Sequence, residues 1–243
     1  MKALVVGGSS GIGLSIVLNL INRVEYEKVY VLDKKDFPNQ YKTAKVYSLI
    51  YDLSLKDYSI FNIFEEINAL FITVGFGHLD FFQHFDEYYI QDCFDVNAIA
   101  PIQIIRHYYD RLLSTDSFLC GIMVSIAGRL SSPLFSIYSA TKAALCKFIE
   151  AVNVELDVQG SRNRILEVSP GSMKGTSFSG GISHPEMTAE LAEEIIRRAQ
   201  NHQELYIPEY EETYKNVIER YEADAHRFGI ESFWYKMKRI ENE

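Results

Sequence analysis

Lys2-Ala3-Leu4-Val5-Val6-Gly7-Gly8-Ser9-Ser10-Gly11-Ile12-Gly13 decides the fold. An apolar run of strand length stops at paired glycines, and helical spacing of Leu14, Val17 and Leu20 begins straight after them. Such a strand–turn–helix opening lets the backbone bend sharply and leaves unpaired N–H groups at the helix start, where an anion is favoured. The Gly7, Gly11 and Gly13 spacing, GxxxGxG, suits the close approach of a pyrophosphate; Ser9, Ser10 and Ile12 complete the turn.

Working outward, further strand patterns occur at 29–32, 46–51, 70–74, 119–125, 165–168 and 205–207. Most are apolar on both faces, as strands covered above and below by helices should be. Helical patterns fall at Gly11–Asn22, Tyr58–Ile67, Glu87–Leu113, Ser136–Val158 and Thr188–Gln200. This alternation predicts an α/β, Rossmann-like, doubly wound parallel sheet flanked by helices. One domain over 1–243 is expected: a core over 1–176, then a substrate loop and C-terminal helices over 177–243. Residues 172–184 are rich in Ser and Gly and predict a mobile loop. From Glu209 the chain is amphipathic and aromatic, with Tyr214, Val217, Tyr221, Phe228, Phe233, Trp234 and Met237, which predicts an extra C-terminal helix. Packing on the core is its plainer role; a partner contact or a cover over the substrate is the sharper one.

With 24 basic against 33 acidic residues and a net charge of −9, nucleic acid and anionic membranes are poor partners. A small molecule fits better. The first strand starts at Lys2 and no apolar run is long enough to span a membrane, so a cytoplasmic location is expected. Cys93, Cys120 and Cys146 have no CxxC spacing and read as small buried apolar residues without chemistry, and the six histidines show no HxH or HExxH, so no metal is expected.

At the nucleotide end, Asp33 closes the second strand 20 residues after Gly13. A carboxylate there can accept from both adenosine ribose hydroxyls and repel a 2′-phosphate, which favours NAD(H); Lys34 and Lys35 keep NADP(H) open. Asp52 and Leu53, ending the third strand, are placed to flank adenine.

At the chemical end, Tyr138-Ser139-Ala140-Thr141-Lys142 puts a phenol and an ammonium four residues apart on one helical face. A tyrosine titrates near 10, so acting near neutrality requires phenolate stabilisation, and a neighbouring lysine is a fitting source. Ser125 ends a strand 13 residues earlier, where its hydroxyl could hold a substrate oxygen. Asn97 precedes Pro101 by four, so its carbonyl loses its helical donor. A water there would pass protons towards Lys142.

In these residues the chain resembles the short-chain dehydrogenase/reductase family from about Lys2 to Thr176. The motifs are Gly7-xxx-Gly11-Ile12-Gly13, Asp52-Leu53, Asn97, Ser125, Tyr138-xxx-Lys142 and Pro170-Gly171, in the family's order. The resemblance implies a seven-stranded sheet and NAD(P)-dependent hydride transfer between nicotinamide and an alcohol/carbonyl substrate. It implies Tyr138 as general acid/base, with Lys142 on the nicotinamide ribose and lowering the tyrosine pKa. Ser125 would polarise the carbonyl, and Asn97 would support a proton relay. Gly75 would allow close backbone approach, and Pro170, Gly171 and Thr176 would lie against the nicotinamide. It further implies homodimers or homotetramers packed through 87–113 and 136–158.

Three departures stand out. Val6 replaces a threonine, and Ile72-Thr73-Val74-Gly75 replaces Asn-Asn-Ala-Gly, so side-chain bonds that steady the fourth strand are expected to be missing. The ending after Thr176 is also unlike the family's. Phe76, His78, Met173 and Phe178 are expected around the substrate. The alternatives are a catalytically silent NAD(P)-binding regulatory protein and an assembly protein built on the aromatic C-terminus.

Overall fold

The computed structural model describes residues 1–64, 66–176, 178 and 182–240. Its centre is a seven-stranded sheet, every strand parallel, in the order β3-β2-β1-β4-β5-β6-β7. The strands are β1 (Lys2–Val6), β2 (Lys28–Asp33), β3 (Val46–Ile50), β4 (Ala69–Ile72), β5 (Leu119–Met123), β6 (Ile165–Val168) and β7 (Leu205–Tyr206). The order reverses between β1 and β4. A crevice therefore opens at the carboxyl ends of these two strands, the place where such sheets bind ligands.

The helices are α1 (Gly11–Ile21), α2 (Glu87–Phe94), α3 (Ala100–His107), α4 (Tyr109–Leu113), α5 (Ser136–Val158), α6 (Ala189–Gln200), α7 (Lys215–Ala223) and α8 (Ala225–Ile240). On one face of the sheet α1 and α6 bury Leu14, Val17, Leu20, Leu191, Ile195 and Ile196 against Val5, Val29 and Phe71. On the other, α3 and α5 bury Ile104, Leu145, Ile149 and Leu156 against Leu4, Leu70, Cys120 and Ile122. Because both faces are covered, β1, β4 and β6 are buried almost throughout, which is why they read as continuous apolar runs.

Three helical expectations change. Tyr58–Ile67 is a 3₁₀ segment, Tyr58–Phe64, since its aromatic and β-branched residues are weak helix formers. The expected helix over 87–113 is interrupted by a π turn at Asp95–Ile99 and again at Tyr108. The C-terminal helix is two, α7 and α8, parted at Asp224, whose carboxylate accepts from Arg227 N. The expected mobile loop at 172–184 lies partly outside the described residues (177 and 179–181).

Among the described residues, no helix is long and apolar enough to cross a membrane, and no cluster of His, Cys, Asp and Glu could hold a metal ion. All three cysteines are buried.

Candidate active site

The glycine turn closes against itself. A Cβ on Gly13 would lie 2.2 Å from the Gly7 carbonyl oxygen, so no other residue fits there without moving backbone. The missing strand-steadying bonds are present after all. Thr73 places its hydroxyl 3.0 Å from both the Val6 and Gly7 carbonyl oxygens, a role that a short β-branched donor fills as well as an asparagine.

Asp33, at the end of β2, accepts from Ser9 N at 2.9 Å and from Lys35 N at 3.0 Å. The carboxylate is thereby fixed beside the turn with lone pairs left over. Ser9 donates its hydroxyl to the Lys35 carbonyl, Ser10 precedes α1 without making a side-chain cap, and Ile12 packs on the core. Asp52 accepts from Ser54 N, which holds its carboxyl below the ordinary range, and Leu53 beside it is buried. The first N–H of α1, on Gly11, donates 2.7 Å to the Ser183 hydroxyl, and Thr176 packs over the same glycine with its own hydroxyl on the Met173 carbonyl. Thr176 thus sits at the glycine turn.

The second cluster forms where β4 and β5 end. Ser125 follows β5, accepts from Ala127 N at 3.1 Å and donates towards the Pro170 carbonyl at 3.5 Å. Tyr138 and Lys142 share the inner face of α5. Lys142 Nζ lies 5.6 Å from the Tyr138 ring centre and donates to the Met123 carbonyl at 3.0 Å. Asn97, in the π turn, is fully buried. Its Oδ1 accepts from Phe76 N, while its Nδ2 faces the Phe76 carbonyl at 2.8 Å and Thr141 Oγ1 at 3.2 Å. Thr141 in turn donates to the Tyr138 carbonyl. A Cβ on Gly75 would lie 3.1 Å from Lys142 Nζ and 3.3 Å from Asn97 Oδ1, so these three residues meet. Ser125, Tyr138, Lys142 and Asn97 come together from three separate stretches of chain: the π turn, the end of β5 and α5.

The electrostatics differ from expectation in one respect. Burial pushes the Tyr138 phenol up, opposed by its interaction with the Ser125 hydroxyl, and pushes Lys142 down to about 8. The groups that shift the tyrosine besides burial are Ser125, which lowers it, and Cys93, which raises it. Tyr138 and Lys142 are both less than a tenth exposed, and loss of water is the largest influence on each.

Of the expected pocket residues Phe178 packs its ring on Tyr138, with ring centres 5.2 Å apart. Phe76 and His78 pack on Tyr89 and Phe85, and Met173 packs against the core beneath α1 and α6. Sequence reasoning passed over Phe135, whose ring stacks on Tyr138 at 4.3 Å; its place three residues ahead of the tyrosine was the available signal. The sequence leaves the role of the C-terminal segment open between packing on the core, a partner contact and a cover over the substrate. Phe233 packs on Phe81, Lys236 Nζ donates to Ser132 Oγ and the Pro133 carbonyl, and Tyr214 abuts Gly171. These residues lie on the loops after β4, β5 and β6, so the segment packs on the carboxyl-end face of the sheet.

A dinucleotide fits these residues. Gly11 N–H already meets an oxygen acceptor across the mouth of the turn, and Gly75 leaves a space beside Lys142 that a side chain would fill.

The short chain dehydrogenase family model matches residues 1–187. Among curated proteins, uncharacterized oxidoreductase TDA5 of Saccharomyces cerevisiae is 29% identical over 73% of this chain and 56% of its own length. A second yeast protein, uncharacterized oxidoreductase YDL114W, is 26% identical over 80% and 66%. The chain thus spans under two thirds of the length of either relative. A short-chain dehydrogenase from Streptomyces avermitilis superposes with a TM-score of 0.74 at 19% identity, covering 98% of both chains. One from Burkholderia cenocepacia in complex with NADP gives 0.75 at 18%, covering 95% of this chain and 96% of that one. Matched over three quarters of its length by that family model, with a parallel seven-stranded sheet, the chain belongs to the short chain dehydrogenase family.

Proposed function

We propose that the protein is an oxidoreductase that transfers a hydride between NAD(P) and an alcohol/carbonyl substrate, with Tyr138 as general acid/base. The observation that carries this reading is the meeting of Ser125, Tyr138, Lys142 and Asn97 at the carboxyl ends of β4 and β5. A bound nicotinamide would supply the hydride donor or acceptor.

The chain's own part is proton handling and positioning. Burial keeps the Tyr138 phenol protonated, ready to give its proton to a carbonyl oxygen as that oxygen gains charge. The Ser125 hydroxyl polarises the same oxygen. Lys142 holds the cofactor's ribose, and its ammonium, with a pKa near 8, is poised to return a proton towards Tyr138. Asn97 braces the Phe76 backbone and, through Thr141, the first turn of α5, and we assign the π turn that carries it to a water-mediated relay.

Gly7 to Gly13, including Ser9, Ser10 and Ile12, form the pyrophosphate seat, and Asp52 with Leu53 flanks adenine. Pro170 and Gly171 line the nicotinamide side. Asp33 favours NAD(H), with NADP(H) possible beside Lys34 and Lys35. Two structural relatives, the Burkholderia protein in complex with NADP and 4-hydroxyisoleucine dehydrogenase complexed with NADH and succinate, support a nicotinamide cofactor without choosing between the two. Exposed Tyr88 on α2 and Val154 and Val158 on α5 support a homodimer or homotetramer, and we place the protein in the cytoplasm.

The test is a panel of alcohols and ketones followed by NAD(P)H absorbance, with wild type and Tyr138→Phe. Turnover by wild type that falls at least a hundredfold in the variant, with NADH affinity kept, is expected. NADH binding without any turnover by wild type would instead support a silent regulatory protein.

A further inference from the structure

We propose that Tyr214 is a substrate-binding, specificity-determining residue whose phenol donates a hydrogen bond to a second oxygen on the substrate, beside the reacting carbonyl. This deepens the oxidoreductase reading and rests on it. The substrate class it names is a carbonyl compound with a second oxygen acceptor close by, such as a diketone, hydroxyketone or oxo ester.

Four observations lead there. First, Tyr214 projects from the C-terminal segment on to the residue beside the catalytic serine's anchor. A Cβ on Gly171 would lie 1.5 Å from Tyr214 Oη and 2.5 Å from its Cζ, so the absence of a side chain at 171 is what admits the phenol. Gly171 follows Pro170, whose carbonyl receives the Ser125 hydroxyl and the Ile126 N–H. The phenol therefore stands one residue away from the group that would hold the reacting oxygen.

Second, the phenol is half-buried and no described residue accepts its hydrogen bond. With no acceptor among the described residues, its hydroxyl is free to turn from solvent to a ligand placed beside it.

Third, the backbone is shaped to present it. Glu209 adopts a left-handed conformation (φ 57°), and its carbonyl accepts from both Thr213 N and Tyr214 N as the chain makes a π turn over Tyr210–Tyr214. A non-glycine residue at positive φ costs energy that plain helix packing would not require. Fourth, burial raises the Tyr214 pKa, with Glu209 adding to it, so the phenol stays a donor throughout the working range and does not compete with Tyr138 as a base.

The remaining surroundings are aromatic. Phe135 and Phe178 flank Tyr138, so a small substrate has few other polar contacts to orient it. A substrate with one oxygen is held at Ser125 and Tyr138 alone and can pivot; one with two is fixed at both ends.

The experiment compares wild type and Tyr214→Phe, which keeps the ring and removes only the hydroxyl. Diacetyl is tested against methyl ethyl ketone, each with NADH or NADPH. In parallel, quenching of bound NADH by each ketone is followed in a Tyr138→Phe background, which reports binding without turnover. Thermal melting confirms that the variants fold. The preference for diacetyl is expected to drop about three- to tenfold, mostly through KM, and the same ratio is expected in the binding titration. An unchanged preference in either measurement overturns the proposal, as does NADH-loaded protein that binds neither ketone. Failure of wild type to bind NADH and NADPH is a different result, read directly from the cofactor titration, and it would overturn the oxidoreductase reading itself.

Discussion

Lys142→Met is expected to strengthen the fold while abolishing hydride transfer. Lys142 is 2% exposed, and its ammonium donates to a neutral oxygen, the Met123 carbonyl. Burial brings its pKa from 10.5 to about 8, so keeping it charged at pH 7 costs the folded state roughly 3 kcal/mol. Methionine has a similar length and no charge, and it gives back about 1 kcal/mol by leaving the Met123 carbonyl unpaired. A net gain of about 2 kcal/mol corresponds to a Tm higher by roughly 4–8 °C in a chain of this size. The sign with pH follows from proton counts. Between about pH 8 and 10.5 the unfolded chain binds more protons at this lysine than the folded one, so wild-type stability climbs through that window as the penalty is relieved. The advantage of the methionine variant must therefore be full at pH 7 and shrink towards pH 10.5. Urea unfolding of both proteins at pH 7, 8.5 and 10, without nucleotide, measures it. A variant less stable than wild type at pH 7, or a difference that does not change with pH, refutes the reasoning.

Two further outcomes are expected. Ser183→Ala frees the first N–H of α1, so NADH, titrated by its fluorescence, should bind about three- to tenfold more tightly; weaker binding would mean that Ser183 helps to hold the cofactor. Arg129→Met removes the guanidinium that makes three hydrogen bonds to the buried Glu167 carboxylate. A loss of about 3–5 kcal/mol in chemical denaturation is expected, largely recovered by adding Glu167→Gln; no recovery would show that the lost charge pairing is not the cause.

The sheet was legible in the sequence because a parallel sheet buried on both faces writes itself as apolar runs, and the Gly7–Gly13 turn fixed where the first helix begins. Ser125, Tyr138 and Lys142 were legible because spacing along one helix and one strand end locates them. Other features depend on how distant segments pass one another. That Thr73 would serve the Val6 and Gly7 carbonyls, that Ser183 would reach Gly11, and that Tyr214 would meet Gly171 follow from loop paths that no local periodicity encodes. The aromatic stripe over 214–237 announced an apolar face and left open what it covers. Local spacing also suggested that Lys142 would depress the Tyr138 pKa, because a side-chain pair on a helix carries no information about how completely water is excluded.

The π turn at Asp95–Ile99 has a consequence for how this protein can change. Its extra residue rotates everything downstream by about 100° relative to the helix ahead of it. One rod thus aims Cys93 before the turn and Asn97 within it at Phe76 and Thr141, and Ile104 and Ile105 at the sheet after it. Deleting a single codon there would iron the rod straight, keep its oily underside by sliding one notch, and swing the asparagine out of reach. Loss of chemistry with retention of shape is therefore one small deletion away, and a sensor could descend from an enzyme by that step.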